Sequence, residues 1–591
     1  MLASEEYGRR LELRRSAAAA LEKVHIRLGN VRLAVAILGL VLAWASIGRH
    51  LLSPWWLVAP VVGFLAVAIY HYRILRSRDR AQRAIAFYEA GLARIEDRWS
   101  GMGETGIRFA DPHHPYAADL DLFGEGGLFQ LLYTARTRVG EETLARWLLA
   151  PAPVPEIRER QAAVAELRSQ IDFREDLAVL GSRAGVGVYP DELQRWAQSP
   201  RELRHVWIPV VAKILAVLLI ASLFVYWYRD WATPLVVLLI IEGSLAFSIR
   251  KPVELALHST EHAFQNLDLL SGIFARIETH TFHAPRLRAI QQALSASGVR
   301  ASVAVDRLRT LVDFINSRDN VFVRVIDIPL LYSVKLAFVV ERWRQAHGHA
   351  LPSWLDAIGQ MEALLSFGGY SFEHPADMFP EFAEGPPRFD ARQLAHPLLP
   401  AATSVRNQVE LSQSQRLLLV SGSNMSGKST LLRAVGVNTV LAMAGAPVRA
   451  EHLALTPLQV GASIRVNDSL QEGSSRFYAE ITRLRQIFDL AAKNPPLLFL
   501  LDELLQGTNS KDRRIGAEGV LRALLQRGAI GFISTHDLAL TEMGSLGALL
   551  HNVHFQDDFE QGQIKFDYQL REGVVSKSNG LELMRSIGLD V

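Results

Sequence analysis

The chain has 591 residues, which is enough for roughly three to five domains of ordinary size. Its 63 Lys and Arg residues nearly balance 61 Asp and Glu residues, so the net charge of +2 does not by itself require a nucleic-acid or acidic partner. The absence of Cys excludes disulfides, cysteine-ligated iron–sulfur clusters and cysteine zinc sites, and it fits a reducing compartment.

Four apolar runs are long enough to suggest membrane insertion. They cover residues 33–48, 51–70, 206–228 and 232–248. A membrane-spanning helix needs about 20 apolar residues, a length that the second and third runs reach. The first and fourth runs are shorter, but each is joined to a longer partner by a short turn. We therefore predict two transmembrane helical hairpins, at about 33–70 and about 206–248. Buried core helices of a soluble protein are the alternative.

Basic residues flank both hairpins on the side away from their turns. They are Arg73, Arg76, Arg78, Arg80, Arg83, Arg201, Arg204, Arg250 and Lys251. Because Lys and Arg favour the cytoplasmic side, we predict a multi-pass protein of a bacterial-type inner membrane, with both termini and the bulk of the chain in the cytoplasm. Lys213 and Glu242 lie at matching depths of the second hairpin. We expect them to form an ion pair, since an unpaired charge in a membrane is costly; separate snorkelling of the two side chains is the alternative.

The remaining sequence divides into a helical part and an α/β part. Apolar residues recur at helical spacing before residue 368, and short apolar runs alternate with helical patterns after the Pro-rich residues 379–400. We predict an N-terminal helix with the first hairpin (1–98), a mainly helical region carrying the second hairpin (99–390) and an α/β domain with a parallel or mixed sheet (391–591).

Residues 422–430 read GSNMSGKST and fit the phosphate-binding pattern G-x-x-x-x-G-K-[ST]. The preceding run 417–420 predicts a buried strand, and a helix is expected to start near Thr430. Glycines in such a loop let backbone N–H groups wrap phosphates, and the helix N-terminus adds positive potential. We expect Lys428 to reach the β- and γ-phosphates and Ser429 to bind Mg²⁺. The predicted nucleotide-binding residues are Gly422, Asn424, Met425, Ser426, Gly427, Lys428, Ser429 and Thr430.

Two further apolar runs end in polar residues suited to hydrolysis. Residues 497–501 lead into Asp502 and Glu503, and residues 530–533 lead towards His536. The carboxyl ends of strands are where open α/β sheets bind ligands. We predict that Asp502 holds Mg²⁺, that Glu503 polarises the attacking water, and that His536 hydrogen-bonds the γ-phosphate or that water. The predicted catalytic residues are Glu503, His536 and Lys428.

These motifs resemble those of the MutS family of DNA mismatch repair ATPases. Residues 422–430 are similar to its G-P-N-M-x-G-K-S-T, with Ser423 in place of Pro. Residues 502–512 are similar to its D-E-x-G-R-G-T-S-T-x-D, with Leu505 and Gln506 in place of Gly-Arg. The resemblance implies a P-loop ATPase domain with an ABC-like sheet behind a helical core and lever region, and ATP and Mg²⁺ as cofactors. The likeness covers most of residues 118–204 and 252–591.

The resemblance also implies a homodimer. In the family an S-T-F-x-x-E loop reaches across to the partner's nucleotide, and the matching residues here are Ser475, Arg476 and Phe477, followed by Glu480. Arg476 stands where the family has Thr. Two interpretations stay open: Arg476 acts in trans on the γ-phosphate as an arginine finger, or it packs on the helix that begins nearby.

The mismatch-reading domain of the family has no counterpart before residue 120, where the sequence is largely apolar. Phe87 and Glu89 match its F-x-E wedge, but the flanking pattern is absent, and we attribute the match to coincidence. We therefore predict a membrane-anchored MutS-related ATPase that lacks this domain, with DNA as a candidate partner in mismatch repair or recombination. The alternative is a mechanochemical ATPase that acts on a membrane-protein partner without DNA.

Overall fold

The structure is a computed structural model. It describes residues 2–181, 190–201, 203, 205, 207–263, 267–296, 298–319, 327, 330–423, 425–465, 476–506, 508–560 and 563–575. Helices fill the described chain up to residue 373, and two sheets with their helices follow from residue 381. This order agrees with the predicted succession of a helical part and an α/β part.

The N-terminal residues form one long antiparallel hairpin. Helix α1 spans Ala3–Ala43 and continues as a π-helical turn, Trp44–Gly48. A 3₁₀ turn, Pro54–Leu57, leads into α2, Val58–Ile95. Both helices extend well beyond their apolar runs. The end with the turn exposes large apolar side chains, with Trp55 82% exposed, so the predicted apolar hairpin is the outer part of a longer element.

The base of this hairpin packs against the rest of the helical region. Tyr7 of α1 and Phe87 and Tyr88 of α2 form a buried aromatic cluster. Arg94 of α2 donates two hydrogen bonds to the buried carboxylate of Glu373, at 2.6 and 2.7 Å. Phe87 therefore serves as a core side chain, in line with a coincidental likeness to the family's wedge.

The second hairpin consists of α8, Ile208–Arg229, and α9, Thr233–Ser248. Helix α10, Arg250–Ala263, follows α9 after a bend of 60°. Within the described chain, three helices are long and apolar enough to cross a membrane: the two arms of the first hairpin and α8. The bent α9–α10 pair would be a fourth span if it is counted as one. This is compatible with membrane association.

The predicted ion pair in the second hairpin is wrong. Lys213 is exposed, whereas Glu242 is completely buried and neither of its carboxylate oxygens has a hydrogen-bond partner. The cation that acts on Glu242 is Lys335, which belongs to the helical region instead of the hairpin. The matching depths of Lys213 and Glu242 gave no information about which faces of α8 and α9 these residues occupy.

The other helices of this region pack around one long central helix, α15 (Leu351–Glu373). Small residues allow the close approach: a Cβ on Gly359 would lie 2.5 Å from the hydroxyl oxygen of Thr143 in α4. The surrounding helices are α3 (Leu128–Leu132), α4 (Arg138–Leu149), α5 (Val154–Ser169), α6 (Ile171–Gly181), α7 (Pro190–Gln198), α11 (Leu267–Glu278), α12 (Pro285–Ala293), α13 (Ala301–Asn316) and α14 (Tyr332–His347).

The α/β region contains two sheets. The smaller has the order β1-β5-β2-β3 and the larger has the order β10-β9-β4-β8-β7-β6. In the larger sheet only β10 is antiparallel to its neighbour, so the sheet is mixed. The strands are β1 (Glu381–Phe382), β2 (Phe389–Leu394), β3 (Asn407–Leu411), β4 (Leu417–Ser421), β5 (His452–Leu455), β6 (Gln459–Ser463), β7 (Leu497–Asp502), β8 (Ile530–Thr535), β9 (Leu550–Glu560) and β10 (Gln563–Glu572).

Helices cover both faces of the larger sheet. These are α16 (Lys428–Ala444), α17 (Arg476–Leu490) and α18 (Ser510–Gln526). Leu417 and Leu419 of β4 belong to a cluster with α17 and α18, whereas Leu418 and Val420 belong to the main core with α16. This explains why the strands are continuous apolar runs. Because α16 also packs on α4 and α5, the core continues from the sheet into the helical region.

Candidate nucleotide-binding site

The carboxyl ends of three parallel strands meet at one edge of the larger sheet. The register pairs Ser421 of β4 with Thr535 of β8, and Asp502 of β7 with Ser534 of β8. The loop after β4, the acidic pair after β7 and His536 after β8 are therefore neighbours. The sheet brings together three motifs that the sequence spreads between residues 422 and 536.

The loop between β4 and α16 is built on glycines. Gly422 has φ +151° and Gly427 has φ +103°, a region that favours glycine. A Cβ on Gly422 would lie 2.9 Å from the hydroxyl oxygen of Ser426 and 3.1 Å from the carbonyl oxygen of Phe555, so a larger residue would distort the turn. The hydroxyls of Ser423 and Ser426 are buried and have no hydrogen-bond partner, which leaves polar atoms available for a ligand.

The helix after the loop starts at Lys428, two residues before the position expected from the sequence. The ammonium of Lys428 donates to the carbonyl oxygens of Gly422 at 2.9 Å and Ser423 at 2.7 Å. Burial lowers the pKa of Lys428, against the opposing effect of nearby carboxylates. A phosphate in the loop would bring a further counter-charge to this buried cation. Met425 and Thr430 are exposed at the rim, and Asn424 lies outside the described residues.

Asp502 is held by hydroxyls on both carboxylate oxygens. Ser429, at the start of α16, donates to Oδ2, and Ser534 of β8 donates to Oδ1. A Ser hydroxyl beside a carboxylate is the oxygen ligand set that Mg²⁺ uses in phosphate sites. The residues present therefore fit the predicted metal, with Ser429 and Asp502 as the groups that would hold it.

Glu503 follows on the same strand end and is held from several sides. Its carboxylate Oε1 lies 3.0 Å from Nδ1 of His536. Its other oxygen accepts from the side-chain amide of Gln506. Its own N–H donates to the carbonyl oxygen of Ser534 at 3.0 Å, which ties the turn to β8. The structure thus brings the predicted base and the predicted switch histidine into direct contact.

A cavity of about 590 Å³ lies beside these groups. Lys428 and Ser429 form one side, and the opposite wall is formed by segments that are distant in the sequence. This volume is typical of small-molecule sites. Wall residues that the sequence did not assign to the site are His396, Leu399, Thr403, Val405, Asn407, Phe555 and Tyr568. Tyr568 lies against Gly427, where a Cβ would be 3.1 Å from the ring. Two of these residues carry a signal in the sequence: Tyr568-x-Leu570 resembles the family's C-terminal end, and His396-Pro397 resembles the pair that precedes its ATPase domain.

The predicted trans loop is described only at its end. Ser475 and the side chain of Arg476 lie outside the described residues, and α17 begins at Arg476. Phe477 is partly buried against the cluster of α17 and α18. The two interpretations of Arg476 therefore both remain predictions.

His396 in the cavity wall makes stability depend on pH. Burial, followed by the charges of Arg433 and Arg449, lowers the pKa of His396 to about 4. Its Nδ1 accepts a hydrogen bond from the N–H of Leu398 at 3.2 Å, which requires the unprotonated form. The unfolded chain binds this proton near pH 6.5, so the contribution of neutral His396 is fully present above pH 6.5 and is lost as the pH falls towards 4.

We expect the difference in unfolding free energy between wild type and His396→Gln to shrink by about 2 kcal/mol from pH 7 to pH 5. Reversible urea unfolding in detergent at both pH values measures it. Carboxylates that titrate in the same pH range contribute equally to the unfolding free energies of both proteins, so their contributions cancel in the difference. A difference that stays constant with pH would contradict a buried neutral histidine.

Comparison with known proteins points to the same family as these motifs. Residues 418–590 match the family described as MutS domain V. "Endonuclease MutS2" of Thermus thermophilus is 32% identical over 247 residues, which are 42% of this chain and 32% of that protein. "DNA mismatch repair protein MutS" of a Geobacillus species is 32% identical over 245 residues, 39% of this chain and 27% of that protein.

The chain thus spans about a third or less of the length of these curated relatives. The matched segment contains the phosphate loop, Asp502, Glu503, His536 and Tyr568, whereas the wall residues from His396 to Asn407 precede it. The matched family and the relatives agree with the likeness in the phosphate loop and the acidic strand end. Residues 418–590 of the chain thus carry a MutS domain V.

Proposed function

We propose that this protein is a membrane-anchored ATPase of the MutS type, which works as a homodimer on DNA held near a membrane. The observation that carries the proposal is the meeting of Lys428, Asp502 and Glu503 at one sheet edge beside a nucleotide-sized cavity. The printed names of the relatives refer to mismatch repair and to an endonuclease, which supports DNA as the partner. The division at about residues 98 and 390 belongs to the same proposal.

The residues divide the hydrolysis between them. Lys428 exchanges its bonds to the carbonyls of Gly422 and Ser423 for bonds to phosphate oxygens. Ser429 and Asp502 would hold Mg²⁺, and the bound ion would neutralise charge on the phosphates. Glu503 polarises the attacking water, and His536 orients its carboxylate. Most of the rate gain then comes from positioning and electrostatics, as in other phosphoryl transfers.

The exposed apolar surfaces support the membrane anchor. At the turn ends of the two hairpins, Trp55 and Trp227 are 82% and 85% exposed, and the helices behind them are apolar on most sides. A water-soluble protein rarely exposes so much contiguous apolar surface. Aromatic residues at helix ends suit the membrane–water interface.

The proposal is tested with the full chain purified in detergent. ATP hydrolysis and the molar mass in the absence and presence of ATP are measured for wild type and Lys428→Ala. We expect wild type to hydrolyse ATP and to shift towards a dimer with ATP, and Lys428→Ala to do neither. Hydrolysis by Lys428→Ala at the wild-type rate would refute the assigned site.

Arg476 is proposed to act in trans on the γ-phosphate of the partner's site. An arginine finger is worth about 10³–10⁵ in turnover, so Arg476→Ala is expected to cause a loss near the lower end of this range. Mixing Arg476→Ala with Glu503→Gln tests the direction of action. In the mixed dimer, the Arg476→Ala subunit keeps Glu503 in its own site and receives Arg476 from the Glu503→Gln subunit.

We expect single-turnover ATP cleavage to recover in that mixture. Unmixed Arg476→Ala and unmixed Glu503→Gln serve as the controls. No loss in Arg476→Ala would favour the alternative that Arg476 only packs on α17, and a loss without recovery on mixing would place the residue in cis.

A mechanochemical ATPase that acts on a membrane-protein partner is the second candidate, and a chain of buried contacts favours it. Arg449 donates to the carbonyl oxygen of Leu399 in the cavity wall at 2.8 Å, and its Nε lies 3.5 Å from Asp377. Asp377 accepts from the hydroxyl of Tyr370 on α15 at 2.5 Å. Helix α15 ends at Glu373, which binds Arg94 of the first hairpin. The site and the hairpin are thus joined by one helix.

A further inference from the structure

The turn after β7 has an unusual backbone. Glu503 has φ +52° and Leu505 has φ +56°, a conformation that residues other than glycine adopt only when their surroundings enforce it. The family pattern has Gly at the position of Leu505. Here a leucine side chain occupies the turn and is buried in the cluster of α17 and α18. A Cβ on Gly516 of α18 would lie 2.8 Å from it, so the helix packs closely over the turn.

Glu480, which is not part of this turn, holds it by a hydrogen bond. It lies on α17, is 5% exposed, and its Oε1 accepts from the N–H of Leu505. Helix α17 is the helix that follows the predicted trans loop. Arg476, the first residue of α17, and Glu480, which holds the catalytic turn, therefore belong to one helix.

Gln506 acts on the reacting carboxylate itself. Its side-chain amide donates to Oε2 of Glu503, while His536 faces Oε1. Both oxygens are thereby fixed, and the plane of the carboxylate is defined. The family pattern has Arg at this position. The amide orients the carboxylate by a hydrogen bond without placing a full positive charge beside it.

We propose that Gln506 is a positioning residue for Glu503, and that Glu480 fixes the turn carrying both, so that movement of α17 is transmitted to the base. This rests on the proposed function, because it assigns Glu503 to the water. Helix α17 then controls hydrolysis in its own subunit through Glu480.

The test compares steady-state ATP hydrolysis of full-chain variants in detergent. Gln506→Met keeps the side-chain length but removes the donor, and we expect about a tenfold lower kcat with an unchanged KM for ATP, the effect of one lost hydrogen bond in the transition state. Gln506→Arg restores a donor but adds charge. We expect it to recover part of the lost kcat at an unchanged KM, because a donor to the carboxylate is restored, whereas a merely structural role of this position would give no such recovery.

Glu480 is tested by a pair of variants that differ only in the acceptor. Glu480→Gln keeps a carbonyl oxygen for the N–H of Leu505, and we expect it to retain most of the wild-type kcat. Glu480→Met has no strong acceptor, and we expect kcat to fall with KM unchanged. Gln526→Met, at an exposed position at the end of α18, is the matched control and should behave as wild type.

Glu503→Gln separates this proposal from the proposed function. If Glu503→Gln is inactive while Gln506→Met keeps the wild-type kcat, the positioning role is overturned and the ATPase assignment stands. If Glu503→Gln hydrolyses ATP normally, the ATPase assignment itself is overturned. Wild-type kcat in Glu480→Met would overturn the link through α17.

Discussion

Replacing Glu503 with Gln is expected to lower ATP turnover by about 10²–10⁴-fold, the usual contribution of a general base. The amide keeps the shape of the side chain but cannot accept the proton of the attacking water. ATP binding should persist, because Lys428 and Ser429 contact the phosphates and the metal and are untouched. The variant should therefore accumulate in the ATP-bound state.

Turnover, ATP binding and the dimer fraction with ATP measure this result together. Glu410→Gln is the matched control, because it makes the same chemical change at an exposed position on β3, outside the cavity. We expect the control to turn over normally and Glu503→Gln to hold a stable ATP-bound dimer. Normal turnover in Glu503→Gln would mean that another group acts as the base.

Replacing Glu373 with Ala is expected to cost about 3–5 kcal/mol of stability, the usual effect of removing one partner from a buried ion pair. The side chain of Glu373 is 1% exposed and that of Arg94 is 11% exposed. The hydroxyl of Tyr7 also donates to Glu373, at 3.3 Å. Without the carboxylate, a buried guanidinium would have lost its main partner, and the first hairpin would be held less firmly on α15.

Urea unfolding in detergent measures the loss, and limited proteolysis reports whether the hairpin detaches first. The double variant Arg94→Met with Glu373→Ala should recover part of the stability, because no charge is then left unpaired. The exposed pair of Glu96 and Arg98 provides the control, since surface pairs contribute little. A loss in Glu373→Ala no greater than in Glu96→Ala would contradict the assigned attachment.

The sequence predicts which segments meet at the candidate site, because these segments are short local patterns. The loop after β4 needs glycines and a lysine at fixed spacing, and a strand buried on both faces reads as an apolar run. The strands at 417, 497 and 530 begin at the residues the sequence indicates. Their end positions moved by one or two residues, since strand ends depend on hydrogen bonds with neighbours.

The remaining parts depend on contacts between distant segments, which local patterns do not encode. The cavity wall combines His396 from before the phosphate loop with Tyr568 from the end of the sheet. The cation that acts on Glu242 depends on how the second hairpin packs on α14, which carries Lys335. The matching depths of Lys213 and Glu242 in the hairpin therefore predicted the wrong cation. The role of Gln506 becomes visible only once the turn brings it onto Glu503.

The most direct test of the central claim is DNA binding by the full chain in lipid nanodiscs. Paired, mismatched and branched duplexes are compared with and without ATP across a salt series, with Lys428→Ala as the nucleotide control. The account predicts binding that depends on ATP and weakens steeply with salt, as contacts to DNA phosphates require. No binding at low salt by protein that still hydrolyses ATP would contradict a DNA function and leave the membrane-protein partner as the candidate.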